Sequence, residues 1–186
     1  MQFLKRNELT TIAKAEIILR KLPMWGVADI PEGDINFDWP RQEDLARFRT
    51  NKVPELSAIT FWFKDNNTVC LRAIQFEHVG GELNSPLYDT GDPINSNIKV
   101  ETATILETTS VSACCRDTQR DSIKSIAFHN LKTQLLEVNH YKREIGMQLA
   151  THNLNPGEEI IGGYGVSNKQ RFITSFGFVV MQRSPI

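Results

Sequence analysis

The sequence predicts an all-β fold in which three sheets close around a common axis, preceded by an amino-terminal helix and an extended arm. Three observations carry this. The first is an echo: Leu71-Arg-Ala-Ile-Gln-Phe76, Ile123-Lys-Ser-Ile-Ala-Phe128 and Ile173-Thr-Ser-Phe-Gly-Phe178 share one pattern of aliphatic, any, small, apolar, any, phenylalanine. The match runs upstream without a gap, laying 57–76 on 109–128 on 159–178, with Ile59, Val111 and Ile161 coinciding. An internal repeat of this period signals one supersecondary unit that is stacked or closed on itself. The second observation is strand composition punctuated by turn residues throughout 57–181. The third is a change of texture before residue 57, where prolines and large aromatics replace periodic segments.

In chain order, residues 7–22 read as a helix. Ile12, Ala15, Ile18, Leu19 and Leu22 make an apolar stripe at helical spacing and Pro23 ends it. Residues 1–22 therefore form an amino-terminal helical unit, and 23–56 an extended arm broken by Pro23, Pro31, Pro40 and Pro54. A short helix inside the arm is expected, capped by Asp38, with Pro40 in its first turn and Glu43 placed to pair with Arg47. Trp25, Phe37 and Trp39 are large anchors without a period, and they are the expected contacts of a protein partner.

From residue 57 onward each twenty-residue block reads as a hairpin. Ile59–Phe63, 102–106, Leu135–Val138 and Ile160–Ile161 have strand composition. Lys64-Asp-Asn-Asn67, Gly80-Gly81, Asp89-Thr-Gly-Asp-Pro93 and Asn155-Pro-Gly157 supply turns. Three units of about four short strands each would close into three sheets, which buries the apolar faces and limits open edges. Phe76, Phe128 and Phe178 would then meet in the shared interior.

Over roughly residues 57–181 of the predicted β domain, 57–186, the chain resembles the jacalin-related β-prism family. The resemblance rests mainly on Leu154-Asn-Pro-Gly-Glu-Glu-Ile-Ile-Gly-Gly-Tyr-Gly165 followed by Phe172-Ile-Thr-Ser-Phe-Gly-Phe-Val-Val180. It implies a β-prism of three Greek-key sheets and, in principle, a lectin. That family places a Gly-x-x-x-Asp before the last strand, its carboxylate accepting hydrogen bonds from sugar hydroxyls. Aligned on Phe176-Gly177, those positions are Gln170 and Thr174 here, and the pairs in the other blocks are Arg120 with Lys124 and Thr68 with Arg72. None supplies the carboxylate, so the fold is expected without its usual sugar site.

Composition narrows the function. Of 186 residues, 21 are basic and 22 acidic, so the basic stripe of a nucleic-acid binder is missing. No apolar run reaches the roughly 18 residues of a membrane span. The start, Met1-Gln-Phe-Leu-Lys-Arg-Asn-Glu, lacks a secretory apolar core, and three cysteines do not suggest a disulfide framework. An intracellular, reducing setting is expected, most simply the cytoplasm; a ciliary, cytoskeletal or mitochondrial assembly fits the same composition.

Candidate chemistry is sparse. Cys114-Cys115 beside Arg116 could hold a reactive thiol, but strand positions favour small buried hydrophobes. His78, His129, His140 and His152 have no metal-ligand spacing. Gly162-Gly163-Tyr-Gly165 lacks the Lys-Ser/Thr and helix of a phosphate loop, so a bulge in a packed strand explains it better. Asn66-Asn-Thr68 matches a glycosylation acceptor but reads as a polar turn, and neighbouring Glu158 and Glu159 would face opposite sides of a strand. The expectation is a non-catalytic structural or protein-interaction subunit of a larger assembly, without cofactor or metal, docked through its helix and arm. The alternative is a carbohydrate-binding lectin with a rearranged site near 166–170 or 117–120.

Overall fold

Three antiparallel hairpins organise the described residues, and they fall on the three sequence blocks aligned above. In the computed structural model these are β4 (Leu56–Lys64) with β5 (Cys70–His78), β7 (Thr108–Arg116) with β8 (Ile123–Asn130), and β11 (Glu158–Ser167) with β12 (Ile173–Arg183). The structure describes residues 17–26, 35–47, 55–64, 70–81, 84–86, 97–101, 105–116, 123–131, 135–138, 147–167 and 173–183. The remaining strands are β1 (Ile17–Lys21), β2 (Trp25–Gly26), β3 (Ile35–Trp39), β6 (Asn97–Glu101), β9 (Leu135–Val138) and β10 (Met147–Asn153). A short helix, α1 (Gln42–Arg47), follows β3.

Each hairpin belongs to its own sheet, β11–β12 and β7–β8 at the centre of theirs and β4–β5 with β5 at an edge. The first sheet runs β1-β12-β11-β3 with β2 also paired to β12, the second β10-β7-β8-β9, and the third β5-β4-β6. Their inner faces share one core. Phe76, Phe128 and Phe178 are all buried in it, and the rings of Phe128 and Phe178 lie 5.6 Å apart. The expected meeting of the three phenylalanines is therefore observed. Aromatic pairs at this spacing add to the burial of their large apolar surfaces.

Pairing corrects the ungapped register. Phe76 faces Ile59 and Phe128 faces Val111, but Phe178 faces Gly163, not Ile161. The last hairpin is two residues shorter between these partners. The position opposite Phe178 is held to glycine: a Cβ on Gly163 would sit 2.5 Å from a Phe176 ring carbon and 2.6 Å from one of Phe76. Gly162 beside it follows a register shift after Ile160, and its missing Cβ makes room for the backbone of Trp39. The glycine run is thus a bulge in a packed strand, as expected.

The amino-terminal helix is not what the described residues show. Ile17–Lys21 is a strand paired with Val179–Arg183; residues 7–16 of that expected helix lie outside the described residues. The β-branched pair Ile17-Ile18 suits an edge ladder, and Ile18 is exposed while Leu22 enters the core, which breaks the proposed helical stripe. Leu22 N–H donates to Phe178 O (2.9 Å), so 17–26 follows β12 as one edge interrupted around Pro23.

The arm also belongs to the first sheet. β2 pairs with β12 and β3 pairs with β11, so the prism is built with residues from before position 57. The helix after β3 forms, but Asp38 does not cap it. Asp38 accepts from Lys21 Nζ (2.6 Å), and the start of α1 is held by Asp44 Oδ2, which accepts from Arg41 N–H (2.9 Å). This is one half of a capping box, the acidic residue reaching back to the first backbone donor. The strand expected at 102–106 is displaced: β6 ends at Glu101, and neither Ile105 nor Leu106 is in a strand. On the free side of β5, Ser85 N–H donates to Phe76 O and Phe76 N–H to Ser85 Oγ, both at 2.9 Å, which covers part of an edge.

Candidate functional site

The aromatic anchors are turned inward. Trp25 is 2% exposed and Phe37 5% exposed, both in the central core, and Trp39 packs against it half-buried. β2 directs the Trp25 indole across the seam between the first and second sheets. It stacks on His152 of β10 (4.9 Å, 27°), meets the Phe178 ring edge-on, and donates from Nε1 to Ala150 O (3.0 Å). Burial lowers the His152 pKa, because a charged imidazolium would lose its hydration there. Phe37 stacks on Phe176 at 6.4 Å. Trp25 and Phe37 thus close the core.

The degenerate sugar positions behave differently from one another. Gln170 lies outside the described residues, as do Thr68 and Arg120. Thr174 is 3% exposed, and its hydroxyl donates to Val166 O across its own hairpin (3.2 Å). Its oxygen is therefore engaged within the sheet. Arg72 and Lys124, the corresponding residues of β5 and β8, are buried.

The cysteines are structural. Cys70, Cys114 and Cys115 form no disulfide and are buried; Cys115 joins the core and Cys114 Sγ lies 3.8 Å from Met147 Sδ. Among the described residues no three His, Cys, Asp or Glu side chains gather to hold a metal ion. No helix among them is long and apolar enough to cross a membrane.

A cleft of about 610 Å³ opens at the end of β7 and β8 remote from their hairpin turn, where Thr108 pairs with Asn130. Its other wall is the turn between β10 and β11. Asn155-Pro-Gly-Glu158 closes with Glu158 N–H donating to Asn155 O (3.0 Å), and Gly157 takes φ +81°. Proline second and a left-handed glycine third is the sequence a type II turn demands. Leu154 N–H donates to Thr109 O (2.9 Å), tying this turn to β7.

Glu158 fixes the floor of that wall. Its carboxylate accepts from Arg20 Nε (2.7 Å) and Nη2, from Asn155 N–H (2.7 Å) and from Asn155 Nδ2 (3.1 Å). The Arg20 hydrogen bond, aided by those from Asn155, holds its pKa below the usual carboxylate range despite burial. The strand thus orients Glu158 inward to a structural pair and leaves Glu159 half-exposed, facing the other side as expected. The rim is mixed: Leu131 is 88% and Leu106 50% exposed, and Asn130 Nδ2 donates to Glu107 Oε2 (3.4 Å). Sequence reasoning missed this cleft because its walls come from three segments, 106–109, 130–131 and 154–159, that are far apart in the chain. The Asn155-Pro-Gly157 turn was the available signal.

A second cluster packs on the opposite face of the first sheet, formed by Ile161, Val179 and Met181 with Leu19 and Tyr164. The Tyr164 hydroxyl donates to Leu22 O (2.5 Å), and Lys21 Nζ stands 4.8 Å over its ring. Burial, with the Asp38 charge nearby, raises the Tyr164 pKa.

No family model matches the sequence, and no curated protein matches it. Solved structures show the fold. A mannose-specific jacalin-related lectin from Morus nigra, solved with mannose, is 16% identical with a TM-score of 0.56, over 87% of this chain and 94% of that one. A mannose-binding jacalin-related lectin from Ananas comosus is 14% identical with a TM-score of 0.55, over 89% and 99%. A biofilm matrix protein of V. cholerae is 7% identical with a TM-score of 0.57, over 92% of this chain but only 25% of its own length. The chain has the jacalin-like β-prism fold.

Proposed function

We propose that this chain is a non-catalytic recognition domain that binds carbohydrate through the cleft between the open ends of β7 and β8 and the β10–β11 turn. The observation that carries the reading is the cleft's lining, which sets exposed leucines beside amide and carboxylate groups. Sugars present apolar C–H faces alternating with hydroxyls, and recognition sites for small ligands combine those two kinds of surface. Carboxylates such as Glu107 accept from two hydroxyls at once. Jacalin-related lectins that bind mannose share the fold, which supports the ligand class without assigning the place. The loop before β12 is less suited, since Thr174 is committed to Val166 O. A glycan array with the full chain, followed by calorimetry on Glu107→Ala and Asn130→Ala, tests this. Saccharide binding weakened by both substitutions supports the reading; absence of any saccharide ligand refutes it.

A second reading keeps the chain as a structural subunit bound to protein partners. It draws support from Leu106 and Leu131, since large exposed aliphatics at one rim suit a protein interface. Of the three aromatic anchors, Trp39 keeps the most surface to offer such a partner. Cross-linking at Leu131 in the native setting, yielding one defined adduct with another polypeptide, would favour this reading over the first.

A further inference from the structure

We infer that the Trp25–His152 stack is an acid-sensitive latch: protonation of His152 lets β2 swing off the second sheet and opens the seam it closes. β2 is two residues long, held to β12 with Gly26 opposite Ser175 and Trp25 opposite Phe176. Pro23, just before it, has no N–H to extend that ladder. The Trp25 indole carries this edge across to β10, through its stack on His152 (4.9 Å, 27°) and its hydrogen bond to Ala150 O (3.0 Å). So short an edge opens at low cost once its anchor is weakened, because local opening follows the number of buried contacts. Opening frees Ala150 O and exposes the indole.

His152 is the part of this anchor that pH can weaken. Its Nε2 is buried and meets no hydrogen-bond partner among the described residues. In the neutral ring that nitrogen can be a bare lone pair, whereas the imidazolium donates from both nitrogens and would bury an unmet charged N–H. The indole face pulls the other way, since a stacked cation gains from the ring quadrupole. Lost hydration and the unmet donor act together against it, and burial lowers the His152 pKa. β2 has no titratable side chain. β7 carries Cys114, Cys115 and Arg116, all beyond Val111, which opposes His152, and β12 carries Arg183 at the end paired with β1. Glu158, after β10, is forked by Arg20 of β1, and Lys21 of β1 pairs with Asp38. None of these groups supplies Nε2 with an acceptor. The opened state binds the proton at the ordinary histidine value and the stacked state more weakly. Opening is therefore favoured as pH falls below 6.5 and levels off below the stacked value.

The test is hydrogen exchange of the Trp25 indole N–H by nuclear magnetic resonance, on the full chain at about pH 7.5 and about pH 5. It is read as a protection factor, so that the intrinsic pH dependence of exchange cancels. The expected result is about tenfold lower protection in acid, the linkage equivalent of a tenfold weaker proton affinity in the stacked state. The amides of Val111 and Phe128, in the β7–β8 hairpin, should keep their protection. His152→Phe keeps an aromatic ring on the indole and cannot titrate, so its Trp25 protection should be the same at both pH values. Where that variant fails to fold, titration of the His152 Cε1–H in the unaltered chain decides, with a midpoint below 6.5 expected. A midpoint above 6.5 would overturn the latch, because the indole would then be stabilising the charged ring. Unchanged Trp25 protection in acid would overturn it too. So would an equal loss at Val111 and Phe128, which marks global unfolding, or the same acid loss in His152→Phe.

Discussion

Replacing Trp25 with alanine separates a core residue from a partner anchor, because the two roles predict opposite effects on the isolated chain. The indole is buried between sheets, touches the His152, Phe176 and Phe178 rings, and supplies a hydrogen bond to Ala150 O at 3.0 Å. Truncating a buried aromatic costs about 3–5 kcal/mol through lost transfer energy and the cavity left behind. The missing donor contributes roughly 1 kcal/mol within that range. Against a total stability on the order of 5–15 kcal/mol, the loss is a large fraction. Urea unfolding followed by far-ultraviolet circular dichroism should therefore show a sharply lowered midpoint with little change in slope. Trp25→Phe, which keeps most of the volume, should recover more than half. A loss under about 1 kcal/mol for the alanine variant would be that of an ordinary surface site and would refute the packing argument.

Further outcomes follow from the same geometry. His152 binds its proton more weakly when folded, so the unfolded chain takes up more protons as pH falls below 6.5. Melting temperature should drop on acidification through that value toward the lowered folded one, and His152→Gln should flatten this part of the profile. Glu158 runs on the carboxylate rule: its lowered pKa stabilises the fold above 4.5 and that gain is lost as pH falls through the folded value. Glu158→Gln should cost about 1–3 kcal/mol at pH 7, because Arg20 and the Asn155 donors lose a charged acceptor, and cost little in strong acid. Gly163→Ala should cost about 1–3 kcal/mol or more by overpacking against Phe176 and Phe76, whereas Gly157→Ala, in open space at φ +81°, should cost about 1 kcal/mol from backbone strain alone. Denaturant midpoints of the two variants check the contrast.

Local pattern made the hairpins legible. Strand composition and turn residues located β4, β9 and part of β11, the aligned blocks covered β5, β8 and β12, and the phenylalanine echo identified three residues that share the core. What misled was length and context. Residues 17–22 satisfy a helical stripe as well as an edge strand over so short a span, and only the ladder with β12 decides between them. Trp25 and Phe37 looked like docking residues because their segments have no period, yet short strands of two and five residues are enough to carry them into a core. The shortened third hairpin was hidden because Ile161 imitates Ile59 and Val111 while the true partner of Phe178 is a glycine. The cleft had no linear signature, since its rim residues come from three separate segments.

Methyl-resolved nuclear magnetic resonance during an oligosaccharide titration tests the proposed place of recognition most directly. Leu106, Leu131 and Leu154 report on the cleft, while Val166 and Ile173 flank the β11–β12 turn at the other end of that hairpin. The account predicts saturable shifts at the three leucines with Val166 and Ile173 unmoved. Shifts confined to Val166 and Ile173, with the leucines silent, would contradict it and place recognition beside the β11–β12 turn.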